Sequence, residues 1–279
     1  MGVSVSAEPR AGLKDHALPA RIASATGLGA LALVSVWRGG ALFAFVVSLA
    51  LLAGLSEFLV MAQRAGYRVL LGPTMVLAFT ILFYTMMPII PGASIVFPLL
   101  ALWFIVAVLW RPTPERTVGL ALSFLGVVYV IGLGIHLQWL RDESHGAGRV
   151  FAVLFGTWAA DTAAFFVGLR WGRHQLAPSI SPGKTVEGAI AGWVAALLVT
   201  ASIWNFWVRE GDWAGGLLVG AVVGVGALLG DLLESMFKRN FHMKDASRLI
   251  PGHGGVLDRV DSLLLAGAAA FYVSRIVAP

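Results

Sequence analysis

The chain alternates long apolar runs with short polar breaks, and within each run the apolar residues are continuous rather than alternating. The runs cover about 22–37, 41–62, 69–87, 93–110, 117–138, 150–170, 187–208, 214–236 and 260–277. Each is near the length a helix needs to cross hydrocarbon, the shorter ones marginally. Backbone groups in lipid must find partners inside the protein, so only helices or closed barrels span. Continuous runs without a period of two select helices. The pattern predicts an all-α, polytopic integral membrane protein with about nine transmembrane helices. Residues 1–21 form a polar tail, 22–148 an N-terminal set of membrane helices, and 149–279 a C-terminal region with most of the polar exceptions. Arg10, Lys14 and Arg21 ahead of the first run resemble the start of a signal peptide. No small-residue cleavage site follows Trp37 and the next run begins almost at once, which favours a retained helix.

Composition agrees with a bilayer as solvent. Of the 279 residues 58% are hydrophobic and 13% are charged, with a mean hydropathy of +0.83. A soluble domain carries about 25% charged residues. Cysteine is absent, which excludes disulfides and thiolate metal sites. The net charge of +5 points to anionic lipid or phosphate partners. No basic–aromatic stripe suggests nucleic acid. With the N-terminus inside, the inner segments hold fifteen of the 20 Lys and Arg. The positive-inside rule then places the N-terminus and the basic loops 171–186 and 237–259 in the cytoplasm. The expected location is the cell's inner membrane, with the active site facing the cytoplasm.

The informative residues are those that do not suit lipid. Asp161 lies mid-run, Asp231 and Glu234 lie near the end of the eighth run, and Asp258 and Asp261 open the ninth. Glu57 lies inside the second run, as a core acid or a snorkelling one, and is left outside the predicted site. Intramembrane acids are costly and usually face a partner inside the bundle. Asp258 and Asp261 are three apart, so one helix face carries both; the same holds for Asp231 and Glu234, with Ser235 and Lys238 continuing that stripe. All-oxygen ligation suits a hard cation such as Mg²⁺, with enough carboxylates for a second cation. Equally, these acids could simply pair with Lys238, Arg239 and Arg259.

Between them lies a basic, glycine-rich segment. Gly252, Gly254 and Gly255 allow close backbone approach, His253 sits among them, and Lys238, Arg239, Lys244 and Arg248 surround the turn. Backbone amides and cations together suit phosphate. An ordinary basic inner loop explains the cations, but not the glycines or the acids that follow. A second polar stretch, with Lys184, Thr185 and Glu187, opens the seventh run, where a helix N-terminus attracts anions. Its Gly-Lys-Thr lacks the upstream glycine of a P-loop. The alternative for Glu187 is a role confined to the helix dipole.

Ser235, Lys238, Arg239, Lys244, Asp245, the Pro251-Gly252-His253-Gly254-Gly255 turn, and Asp258-Arg259-x-Asp261 fall in one register. This string resembles the signature of the CDP-diacylglycerol synthases, or phosphatidate cytidylyltransferases. The Lys184–Glu187 stretch, the residues around Asp231 and those around Asp161 also resemble that family, so the likeness covers about residues 155–265. Two side positions depart from it: Val186 stands where the family often has an aromatic, and Phe165 where it often has tyrosine.

The resemblance implies a magnesium-dependent nucleotidyltransferase of phospholipid biosynthesis. It would join CTP to phosphatidate, giving CDP-diacylglycerol and pyrophosphate, and would work as a homodimer. Under it, Asp231, Asp258 and Asp261 hold the metal, and Lys238, Arg239, Lys244 and Arg259 grip phosphates, with Asp245 beside them. Lys184, Thr185, Glu187, Ser235, Gly252, His253, Gly254 and Gly255 shape the substrate pocket, and Asp161 supports the metal or lines a lipid cleft. Both substrates are anionic, so charge neutralisation and positioning would dominate. Rival readings are a CTP-dependent lipid kinase, a cytidylyltransferase for another lipid phosphate, and an ion-coupled transporter. The longer four-Asp motif of the CDP-alcohol phosphotransferases is absent. The clustering of charge at one surface argues against a transporter.

Overall fold

The computed structural model describes residues 17–86, 102, 105–106, 109, 113–247, 249–250 and 254–278. The predicted tail up to residue 16 and most of the expected span 93–110 lie outside them. Helix α1 is Ala17–Arg38, α2 is Gly40–Arg64 and α3 is Leu71–Met86. Helix α4 runs Pro114–Asp142, with a π-helical segment Val127–Gly132 in its middle. Helix α5 is Gly146–Trp171, α6 is Val186–Trp207, α7 is Trp213–Asn240 and α8 is Leu257–Val277. The chain is a multi-pass membrane protein, and among the described residues it is helical apart from one short hairpin and the connecting loops.

The described residues do not carry the expected count of about nine spans. Among the described residues six helices are long and apolar enough to cross a membrane: α2, α4, α5, α6, α7 and α8. Helix α3, expected over 69–87, has 16 residues. At 1.5 Å per residue that is about 24 Å, short of a hydrocarbon core of about 30 Å. Helix α1 covers the first expected run, but serine, threonine and glycine interrupt it and it is not among the six.

Helices α5 to α8 form an antiparallel series, each packed on the next. Small residues permit the close approach. A Cβ on Gly192 of α6 would lie 2.7 Å from the Ala160 carbonyl of α5, and one on Gly220 of α7 would lie 2.8 Å from the Leu197 backbone of α6. A Cβ on Gly226 of α7 would lie 2.7 Å from Ala266 of α8. The far end of this series is pinned by Arg149, which donates to Ser274 Oγ at 3.2 Å and to the Ala278 carbonyl at 2.7 Å. There Trp204 also donates to Asp212, which caps α7.

Helices α2, α3 and α4 cover the other side of α7 and α8. Leu55, Phe58, Leu59, Val130 and Ile131 build a core there with Phe237 and Leu257. Phe58 meets Phe237 edge-on at 5.1 Å and Tyr129 at 6.2 Å. The loop between α5 and α6 folds into a hairpin that the hydrophobic pattern does not predict. Strand β1 is Gln175–Ala177 and β2 is Ser181–Thr185, antiparallel, with Gln175 opposite Thr185 and Ala177 opposite Ser181.

Candidate active site

The hairpin and the loop after α7 meet at one end of the bundle, as the shared basic character of the two loops leads one to expect. Arg239 donates to the Ile180 carbonyl at 3.2 Å, joining the end of α7 to the hairpin turn. Helix α7 stops just beyond, where His242 adopts a left-handed φ of 57° and the Met243 amide returns to the Lys238 carbonyl at 2.7 Å. That turn sends the chain back over the bundle towards α8.

Lys184, at the end of β2, reaches Asp231 of α7 at 2.6 Å. The predicted phosphate ligand and the predicted metal ligand are therefore partners in this structure. Ser235 Oγ donates to the same carboxylate at 3.4 Å. Thr185 is the N-cap of α6, its hydroxyl accepting from the Gly188 amide at 3.1 Å. Glu187 accepts from the Arg173 and His174 amides at 3.1 and 3.3 Å and pairs with the His174 ring at 2.6 Å. Both residues thus fasten the hairpin to α6 and fix the entry angle of Lys184.

Asp161, Lys184, Thr185 and Asp231 line the polar end of a cleft of about 600 Å³ between α5, α6 and α7. Phe165, Leu169, Trp193 and Leu228 form its apolar walls. Asp161 lies ten residues before the end of α5 at Trp171, hence about 15 Å along the axis. The charged end of the cleft therefore runs from the start of α6 at Thr185 to Asp161, well inside α5. Asp161, Asp231 and Asp261 sit close enough to feel one another's charge. Arg259 is exposed and its charge also reaches Asp161.

Asp258 has a different setting from the other two predicted metal ligands. One oxygen takes the Lys238 ammonium at 2.8 Å; the other accepts from the Gly255 amide at 2.8 Å and the Ala246 amide at 3.1 Å. Lys238 also pairs with Glu234, which is fully buried. The alternative reading of these acids as ion-pair partners thus holds for Asp258 with Lys238. Asp261 is buried, with one carboxylate oxygen on the Ser262 amide at 2.7 Å.

Among the described residues no three Asp, Glu or His side chains form a ready-made metal site. The oxygen donors nonetheless suit a hard cation. Asp231 and Asp261 come from facing helices whose backbones touch, since a Cβ on Gly230 would run into the Asp261 carbonyl. Lys244 and Asp245 are exposed on the loop, and Gly254 sits at φ 82° with its carbonyl accepting from the Ile250 amide. The predicted Gly252 and His253, and Arg248 and Pro251 beside them, lie outside the described residues.

The cytidylyltransferase family model matches residues 19–277. The chain belongs to that family. A Synechocystis phosphatidate cytidylyltransferase is 32% identical over 292 aligned residues, covering 93% of this chain and 97% of the relative. One from Brucella suis is 33% identical over 270 residues, 94% of each chain. One from Haemophilus influenzae is 40% identical over 163 residues, 56% of each. The full-length matches take in the N-terminal helices, where the sequence motifs are silent.

Two residues of that N-terminal half reach the site. Glu57 of α2, an acid inside an apolar run, is buried and accepts hydrogen bonds from the loop before α8 and from that helix's first residue. Its position mid-run is the only signal the sequence gives. Tyr129, in the π-helical segment of α4, is buried and packs on Phe237 at 5.5 Å, one residue ahead of Lys238. Nothing in the sequence around it announces that packing.

Proposed function

We propose that this chain is a phosphatidate cytidylyltransferase, joining CTP and phosphatidate into CDP-diacylglycerol with release of pyrophosphate. The observation that carries the reading beyond family membership is the cleft. Its charged end holds Lys184 and Asp231, its walls are apolar, and it is enclosed between three helices long and apolar enough to cross a membrane. A lipid phosphate can enter such a space with its chains on the walls, while a water-soluble triphosphate approaches from the loop end.

In this reaction a phosphate oxygen of phosphatidate attacks the α-phosphorus of CTP, and the bond from that phosphorus to the bridging oxygen of pyrophosphate breaks. No side-chain nucleophile is needed. Lys184 would orient the lipid phosphate from the hairpin. Lys238, Arg239, Lys244 and Arg259, with the Gly254 and Gly255 backbone, would take the triphosphate. Mg²⁺ would be held by Asp231 and Asp261, with Asp161 beside them, and would neutralise phosphate charge. Asp258, engaged by Lys238 and two loop amides, would hold the triphosphate loop in shape instead. The reading includes an inner-membrane location with the hairpin and the loop before α8 facing the cytoplasm, which the basic residues there support. It also includes a homodimer, carried by the family resemblance and tested by the detergent-corrected mass against 29.6 kDa per chain.

The deciding assay uses purified protein in detergent with phosphatidate and labelled CTP. CDP-diacylglycerol and pyrophosphate should form in equal amounts, stop on addition of EDTA and resume with Mg²⁺. Phosphorylated lipid with CDP as the by-product would replace the reading by a lipid kinase.

A further inference from the structure

Glu57 lies on α2, almost 200 residues from the loop before α8, yet its carboxylate is built into that loop. Oε1 accepts from Ser247 Oγ at 2.6 Å and from the Val256 amide at 3.0 Å, and Oε2 accepts from the Leu257 amide at 2.7 Å. The side chain is buried. Val256 and Leu257 begin α8, where backbone N–H groups lack partners within the helix. The N-cap residue Val256 offers no side-chain hydrogen bond of its own. Glu57 therefore performs from another helix the task that Ser, Thr, Asp or Asn usually performs locally. Its negative charge at a helix N-terminus adds to the effect.

The loop is shaped to this carboxylate. A Cβ on Gly255 would lie 2.6 Å from Glu57 Oε2 and 2.9 Å from Oε1, so glycine there makes room for the acid. The residues next along the chain carry the proposed chemistry. Asp258 closes the turn onto Gly255 and Ala246 and takes Lys238, and Asp261 follows one helical turn later. A side chain that fixes the amides of 256 and 257 thereby sets the position of Gly255, Asp258 and Arg259 together.

We propose that Glu57 is a positioning residue for the nucleotide side of the reaction: from α2 it holds the loop that receives the CTP triphosphate. This rests on the assignment of that loop to CTP. Gln at position 57 keeps the shape but turns an NH₂ group towards a hydrogen-bond donor, and it removes the charge. Glu57→Gln should raise the KM for CTP about tenfold and leave the KM for phosphatidate within twofold. Ser247→Ala, which removes one of the three donors, should shift the CTP value in the same direction by a smaller factor. Hydrogen exchange on ligand-free protein should show the Val256 and Leu257 amides at least tenfold faster in Glu57→Gln, with amides in the middle of α5 unchanged.

A merely structural acid would instead lower the active fraction and leave both KM values as they were, and that result overturns the proposal. So does unchanged exchange at 256 and 257. If Glu57→Gln does not fold, Ser247→Ala decides by the same two readouts. The exchange arm needs no turnover. An inactive wild-type protein would therefore count against the assigned reaction, while exchange would still decide whether Glu57 holds the loop.

Discussion

Lys238 gives the sharpest test of the site's electrostatics. Its ammonium lies between Glu234, which is fully buried, and Asp258 at 2.8 Å. Lys238→Met keeps the length and most of the volume of the side chain but leaves two carboxylates without their cation. Two unit charges about 4 Å apart attract by about 4 kcal/mol at an effective dielectric of about 20. Removing one partner of a buried pair typically costs about 3–5 kcal/mol, because the other charge stays buried. Asp258 retains the Ala246 and Gly255 amides, so the larger share of that cost falls on Glu234. For a protein of this size the loss corresponds to a fall in thermal midpoint on the order of 10 °C. Adding Glu234→Gln should restore more than half of it, since a neutral amide no longer needs the ammonium. Activity should not return with stability, because the triphosphate still lacks its lysine. The assay is thermal unfolding in detergent for the wild type, both single variants and the double, with CDP-diacylglycerol formation measured on each. A Lys238→Met protein that melts within 1 °C of the wild type would refute the argument. So would a double variant no more stable than Lys238→Met alone.

Two further predictions follow from the division of labour among the acids. Asp231→Asn and Asp261→Asn should each lower kcat at least a hundredfold and raise the Mg²⁺ concentration needed for half activity. Asp258→Asn should instead weaken CTP with little change in Mg²⁺ dependence, and a Mg²⁺ shift as large as that of the other two would restore it to the metal. At the cleft, Gly192→Leu places a side chain where a Cβ already meets the Ala160 carbonyl at 2.7 Å. It should push α6 from α5, raise the phosphatidate KM several-fold and leave that for CTP unchanged; equal effects on both substrates would remove the cleft from the lipid's path.

The sequence announces the helices because burying backbone in lipid leaves few alternatives. It also announces the acids and cations near the C-terminus, because charges stand out against an apolar background. Their pairing is less legible. Asp231, Asp258 and Asp261 look equivalent by spacing, yet Asp258 faces Lys238 and two loop amides, whereas Asp231 faces Lys184 from a hairpin. The side-chain period of a helix says which residues share a face, not what lies opposite. The hairpin itself escapes a reading based on hydrophobic runs, since its eleven residues from 175 to 185 form a polar break in the pattern. Among the described residues fewer helices are long enough to span than the apolar runs suggest, for a related reason. An apolar run of 19 residues at 69–87 passes a length test, but among the described residues its helix is Leu71–Met86, 16 residues, since Val69 and Leu70 lie before it.

The least legible feature is the part played by the first half of the chain. All the recognisable motifs lie beyond residue 155, which invites a division into membrane scaffold and catalytic region. The structure argues against so clean a division. Phe58 packs on Phe237 one residue ahead of Lys238, and Glu57 beside it caps α8 one residue ahead of Asp258. Adjacent residues on one turn of α2 therefore touch both helices that frame the site. A helix that merely filled lipid would need only apolar contacts, and it would gain nothing from carrying a carboxylate into the bilayer. The desolvation of that carboxylate is offset by three hydrogen bonds, two from the loop and one from the first residue of α8. Glu57 and that loop therefore depend on each other, and the N-terminal helices belong to the site as much as the motif-bearing ones do.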